Sequence, residues 1–361
     1  MDLSAFRDPA LARDLVASIQ KLAPERDTYL MEVCGTHTVA IARGGLASIL
    51  PDKVHLISGP GCPVCVTANR DIDAIIALAR TEGVIITTFG DMMRVPGSTS
   101  SLLDERANGH DVRVVYSPLD ALDVARKNPD KEVVFAGVGF ETTVPLIAVA
   151  IKHASDEGLD NFSVYSAHKT VPATLGVLVN DPEVRISAFI LPGHVSTIIG
   201  KEPYEFLARD YHTPGVITGF EPVDLLQGIA MLLKQLADGR SEIEIAYGRG
   251  VRAEGNPTAM TAVNEVFEPC DATWRGIGSI PASGLRIREA YRAFDAERKL
   301  ATVPEPTIEP AGCRCGDVLR GVIRSEDCPL FGTTCTPEHP VGPCMVSSEG
   351  SCAAHYRYRT A

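Results

Sequence analysis

Short apolar runs rich in β-branched residues recur along this chain, spaced by stretches with helical periodicity. The runs are TYLMEV (28–33), VHLIS (54–58), VIITTF (84–89), VRVVY (112–116), EVVFAG (132–137), FSVYS (162–166) and ISAFIL (186–191). Between them lie NRDIDAIIALAR (69–80), PLDALDVARK (118–127) and VPLIAVAIKHAS (144–155). Short, nearly continuous apolar strands are buried on both faces, and the interleaved helices supply the cover. The pattern confines the chain to the α/β class with parallel sheets. Two more helices are expected at 8–22 and 221–238, each with an apolar stripe at helical spacing. The 361 residues suffice for roughly two to three domains. An internal echo between 84–97 and 133–146, each a strand, a glycine turn with an acidic residue and a helix start, suggests two similar α/β units in tandem. The expected division is 1–117, 118–250 and a loop-rich C-terminal region, 251–361. Periodicity largely stops in that last region after a helix-like stretch at 286–299.

A net charge of −12 makes the chain a poor partner for nucleic acid or anionic lipid. The longest promising uncharged run, Ile186 to Gly200, is broken by Pro192, Gly193 and His194. It is shorter than the roughly 20 apolar residues of a membrane span. Asp2, Arg7, Asp8, Arg13 and Asp14 leave no apolar segment of the secretory kind near the start. A cytoplasmic protein is the expectation, with no membrane or nucleic-acid partner.

In a reducing compartment, clustered cysteines point to metal, cluster or redox chemistry before structural disulfides. Of ten cysteines, six lie at 313, 315, 328, 335, 344 and 352, three at 34, 62 and 65, and Cys270 stands apart. Cys328, Cys335, Cys344 and Cys352 run C-x6-C-x8-C-x7-C among Pro and Gly turns. That wide spacing lacks the paired knuckles of a zinc ribbon and suits a [4Fe–4S] cluster, with zinc or unligated thiols as alternatives. Cys313 and Cys315 are spares, and either could replace a ligand.

GPGCPVC (59–65) places Cys62 and Cys65 as a C-x-x-C between a strand and a helix, in what reads as an exposed turn. A redox dithiol with a lowered thiol pKa fits this local chemistry; half of a metal knuckle or two buried thiols are the alternatives. CGTHT (34–38) puts Cys34 and His37 three apart after a strand, as transition-metal ligands or as a thiol with its base. Asp91, Glu141, His168 and His194 sit in similar strand-end loops, where open α/β sheets bind ligands. Each alone is more often a turn or cap residue. No Walker A motif occurs, and GVGFET (137–142) lacks the third glycine of a dinucleotide fingerprint. No C-x3-C-x2-C of the radical-SAM kind occurs.

Taken together, CGTHT, GPGCPVC, TFGDMMRVPGS (88–98), GFETT (139–143), LPGHVS (191–196), PGVITGFEP (214–222) and the tail CPLFGTTCTPEHPVGPCMVSSEGSCAAHY (328–356) resemble the HypD family of [NiFe]-hydrogenase maturation proteins. The resemblance runs from about residue 28 to the end. It implies two similar α/β domains and a third with a [4Fe–4S] cluster. It implies a scaffold on which the Fe(CN)2(CO) unit is assembled with a small chaperone, HypC, and cyanide from HypE, supplied through HypF. By matching motifs, Cys34 would hold iron, Cys62 and Cys65 would form the redox dithiol, and Cys328, Cys335, Cys344 and Cys352 would hold the cluster that passes electrons to it. Two rival functions remain at this stage: a free-standing iron–sulfur thiol–disulfide reductase and a zinc-stapled binding module.

Overall fold

A computed structural model describes residues 4–358. Eleven strands form among them: β1 (Thr28–Glu32), β2 (Val54–Ser58), β3 (Val84–Thr88), β4 (Val112–Val114), β5 (Glu132–Gly137), β6 (Phe162–Ser166), β7 (Ala188–Pro192), β8 (Gly215–Thr218), β9 (Ile243–Ile245), β10 (Phe267–Trp274) and β11 (Gly278–Ile287). Every apolar run of the sequence became a strand. Strands β3 and β5 to β8 are almost wholly buried, as near-continuous apolar strands must be.

Two parallel sheets result. The first has the order β2-β1-β7-β8-β9 and the second β4-β3-β5-β6. The central strand β1 pairs Leu30 with Leu56 of β2 on one side and with Ala188 of β7 on the other. The first sheet is therefore built from 28–58 and 188–245, and the second is inserted between them. The division at 117/118 does not follow these sheets, because it would cut the second one in two. The echoing segments also lie on neighbouring strands of one sheet, β3 and β5, rather than in separate units. Apolar runs of equal length are interchangeable in hydrophobicity, so composition does not say which run pairs with which.

Helix Pro9–Lys21 is capped by the Asp8 carboxylate, which accepts from the Ala10 amide at 2.7 Å. It packs with helix Pro222–Ala237 over one face of the first sheet, where Ile19, Leu225 and Ile229 meet Leu30, Ile190 and Val216. Helices Pro118–Lys127 and Val144–Glu157 cover the second sheet, with Ala121, Ile147 and Ile151 against Val133, Phe135 and Val164.

The region after 251 is two things rather than one. Helix Pro257–Val266 and the antiparallel hairpin β10–β11 join the second sheet's core through Val266, Phe267 and Ile287. Trp274 is fully buried, and its indole N–H donates to Ser283 Oγ at 2.9 Å. The expected helix at 286–299 is instead the end of β11, a 3-10 turn and one short helix. Beyond about residue 310 the chain is a wrap of turns and short helices, loop-rich as expected. Its Leu319, Met345, Val346 and Ala353 enter a central core together with Met31, Val33 and Phe189.

Candidate thiol site

The carboxyl ends of strands from both sheets face one cleft. A cavity of about 380 Å³ there is lined by Cys34 and Gly61 after β1 and β2, Phe140 and Thr143 after β5, His194 after β7, and Glu349 from the tail. Cys34 ends an extended segment immediately before helix Gly35–Gly44. The amides of Thr36 and His37 approach its thiol, yet burial dominates and pushes the thiol up to about 12. Its backbone N–H donates to Glu32 Oε2 at 3.1 Å, and the other Glu32 oxygen accepts from the Thr38 hydroxyl. Burial raises the Glu32 carboxyl to about 8, so it is largely protonated at neutral pH. Gly61 is required beside Cys34: a Cβ there would lie 2.2 Å from the Cys34 nitrogen.

His37 comes out differently from a base or ligand directed at Cys34. Its ring is fully buried, with Nε2 donating to the Gly219 carbonyl at 3.1 Å and the Thr218 hydroxyl 3.0 Å away. Only its backbone amide reaches the thiol. Burial lowers the ring to about 4, so it is neutral. It tilts against Phe220 at 4.9 Å, and His194 stacks on Phe220 at 3.9 Å. Two residues absent from the sequence-based site thus belong to it. Phe220 links the histidines, and Glu349 accepts from Thr36 Oγ1 at 2.7 Å and lines the cavity. Glu349 sits 315 positions from Cys34, and no motif spacing announces it.

Cys62 precedes the four-residue helix Pro63–Val66, and Cys65 lies within it. Glycines and a proline suggest an exposed turn, but Cys62 is 3% and Cys65 0% exposed. The tail covers them: Cys65 Sγ lies 3.9 Å from the Pro343 carbonyl. Burial raises the Cys65 thiol well above its ordinary value and outweighs any helix-terminus effect. The expected low-pKa thiolate is overturned for this residue.

The tail brings its own thiols to the same place. Cys344 touches Cys65 on one side and Cys315 and Cys352 on the other, and Cys315 touches Cys313. Cys335 is within electrostatic reach of Cys352 and Cys313, and its sulfur accepts from the Val341 amide at 3.3 Å. Cys328 is buried in a turn, and no thiol contact is seen for it. Among the described residues no group of three or more His, Cys, Asp or Glu side chains is placed to hold a metal ion as it stands. The set fits an iron–sulfur cluster by chemistry, being soft, buried except for half-buried Cys313, and more numerous than the four ligands required. Cys270 lies elsewhere, on β10.

The fold and site together define a double parallel-sheet α/β protein with a cysteine at a shared cleft and buried thiols in contact behind it. The profile of the HypD family, described as "Hydrogenase formation hypA family", matches residues 10–359. The hydrogenase maturation factor HypD of Rhodobacter capsulatus is 50% identical, covering 98% of this chain and 97% of its own length. Those of Azotobacter vinelandii and Escherichia coli are 49% and 45% identical over 98% of this chain, covering 95% and 97% of their own lengths. The chain belongs to the HypD family of hydrogenase maturation factors. No helix among the described residues is long and apolar enough to cross a membrane.

Proposed function

We propose that this protein is the scaffold on which the Fe(CN)2(CO) unit of a [NiFe]-hydrogenase is put together, in the cytoplasm and with a HypC-type chaperone and a HypE-type cyanide donor. The observation that carries the reading is the position of Cys34. Its thiol borders a cavity open to solvent, at the meeting of both sheets and the tail. A cation displaces the thiol proton, so a thiol held neutral by burial becomes a ligand when iron arrives. A position left open on that iron accepts a partner's thiolate and allows later release. The Thr36 and His37 amides stabilise the thiolate, and Glu32 fixes the backbone that carries it.

Cys62 and Cys65 act as the redox dithiol, and Cys328, Cys335, Cys344 and Cys352 hold a [4Fe–4S] cluster, with Cys315 the competing ligand for one place. The cluster, when bound, supplies electrons. The thiol contacts from Cys65 through Cys344 to Cys315 support a connection between the dithiol and the tail. Against a free-standing protein reductase stands the burial of both dithiol sulfurs, which a substrate protein's disulfide could not reach.

The test is infrared spectroscopy on anaerobically purified protein with its small partner, together with iron and zinc quantification. Cyanide and CO bands, with iron beyond one cluster, are expected. Their loss in Cys34→Ala, with the cluster's visible absorption retained, would assign the iron. Cluster iron without such bands, with the cyanide-supplying partners present, would favour the reductase. Zinc in place of iron would leave the binding module.

A further inference from the structure

The carboxyl end of β6 and the hairpin β10–β11 enclose a second cavity of about 300 Å³, which shares no lining residue with the Cys34 cavity. Its floor holds Lys169, an ammonium group 3% exposed. An ammonium has three N–H donors. Here one goes to Asp71 Oδ2, at 3.3 Å, and among the described residues no acceptor is seen for the other two. A buried charge this thinly paired is costly unless something completes it.

A second polar group in the wall is also incomplete. The single Ser166 hydroxyl proton is committed to the Leu285 carbonyl at 2.6 Å, so the 2.9 Å contact with His168 Nδ1 makes the ring the donor. Nε2 of His168 is then a bare acceptor, buried and without a partner. Facing Lys169 is an acidic side. Burial holds the Asp295 and Glu297 carboxyls above their usual range, and the negative charge of Asp295 and Asp71 raises Glu297 further. Arg298 is 3.4 Å from Asp295, while among the described residues no ion pair engages Glu297. Arg286 at the rim is already paired with Glu268 at 2.7 Å.

We propose that this cavity is a binding site for a small zwitterion of amino-acid size, its carboxylate completing Lys169 and its ammonium meeting Asp295 and Glu297. The volume is at the lower end for ligand sites and admits only a small molecule. The acids oppose phosphate, and Lys169 with Arg70 opposes a bare divalent cation. The position, beyond the carboxyl end of a parallel strand, is where sheets of this kind take ligands.

The test is calorimetry on the full-length protein with the twenty free amino acids, and with inorganic phosphate and magnesium as contrasts. At least one amino acid is expected to bind saturably and to slow alkylation of Cys270, which lines the cavity, without slowing that of Cys34. Glu297→Gln is expected to weaken binding about tenfold with the fold intact. Lys169→Met is expected to abolish it; should that variant fail to fold, Glu297→Gln and Cys270 protection carry the test. Absence of binding at about 10 mM for every amino acid overturns the proposal. So does binding of phosphate or magnesium alone, or amino-acid binding that leaves Cys270 unprotected.

Discussion

Cys34 illustrates how a residue's chemistry is set by what surrounds it. Its thiol is held up at about 12 mainly by burial, against an ordinary value near 9. In metal-free protein at pH 8, alkylation of Cys34 should be about a thousandfold slower than for an unperturbed thiol. Mass-spectrometric rate measurement checks this, and a rate like that of a free cysteine would refute it. On the proposed reading, iron must displace the thiol proton, so affinity at Cys34 should rise about tenfold per pH unit below 12. The sequence made Cys34 conspicuous, since a cysteine between a strand and a glycine is a chemical signal in itself. It also singled out His37, but three-residue spacing does not say which way a ring turns. Thr218 and Gly219 capture that ring from β8, a contact across 181 and 182 positions.

At the scale of elements, the strand-end loops are close-packed against one another. The Gly61 loop follows β2, and its carbonyl accepts from the Gly35 amide at 2.9 Å. Gly61→Ala should force the Cys34 backbone away and destabilise the protein by about 1–3 kcal/mol, read from the denaturant midpoint. An unchanged midpoint with normal iron retention would show that the loop yields. Cys344 links the short helix Pro63–Val66 to the tail. If Cys62 and Cys65 are the proposed redox pair, Cys344→Ala should leave both thiols in place but slow their reduction by electrons entering through the tail, as thiol trapping would measure. The strand runs were legible because burial on both faces writes itself as uninterrupted apolar sequence. The burial of Cys62 and Cys65 was not, because Pro343 and Cys344 cover them from nearly 280 positions away.

For the whole molecule, four buried groups oppose one another in their pH dependence. His37 and His168 are lowered to about 4 and about 3 from 6.5, so the unfolded chain binds more protons below 6.5 and stability falls as the medium is acidified. Glu32 and Glu141 are raised to about 8 and about 7 from 4.5, so the folded chain binds more protons above 4.5 and stability falls as pH rises. Between about 4.5 and 6.5 the two pairs cancel. Thermal unfolding of metal-free protein should therefore plateau in that window and decline on both sides. Glu141→Gln should flatten the alkaline decline, and an unaltered decline would remove Glu141 from the account. The α/β class was readable at this scale, while the partition into sheets was not. Leu30 and Ile86 are equally apolar and equally buried, and nothing in either run names its partner strand.

The insertion of one sheet within the other also sets a timetable for biosynthesis. As the chain leaves the ribosome, β1 meets β2 early, but its other edge stays open until β7, residues 188–192, has been made. Meanwhile β3 to β6 emerge in an unbroken series, so every strand of the second sheet is available before the first sheet can be completed. The nascent protein therefore carries an unpaired strand edge through the middle of its synthesis, the period in which a chaperone has most to protect.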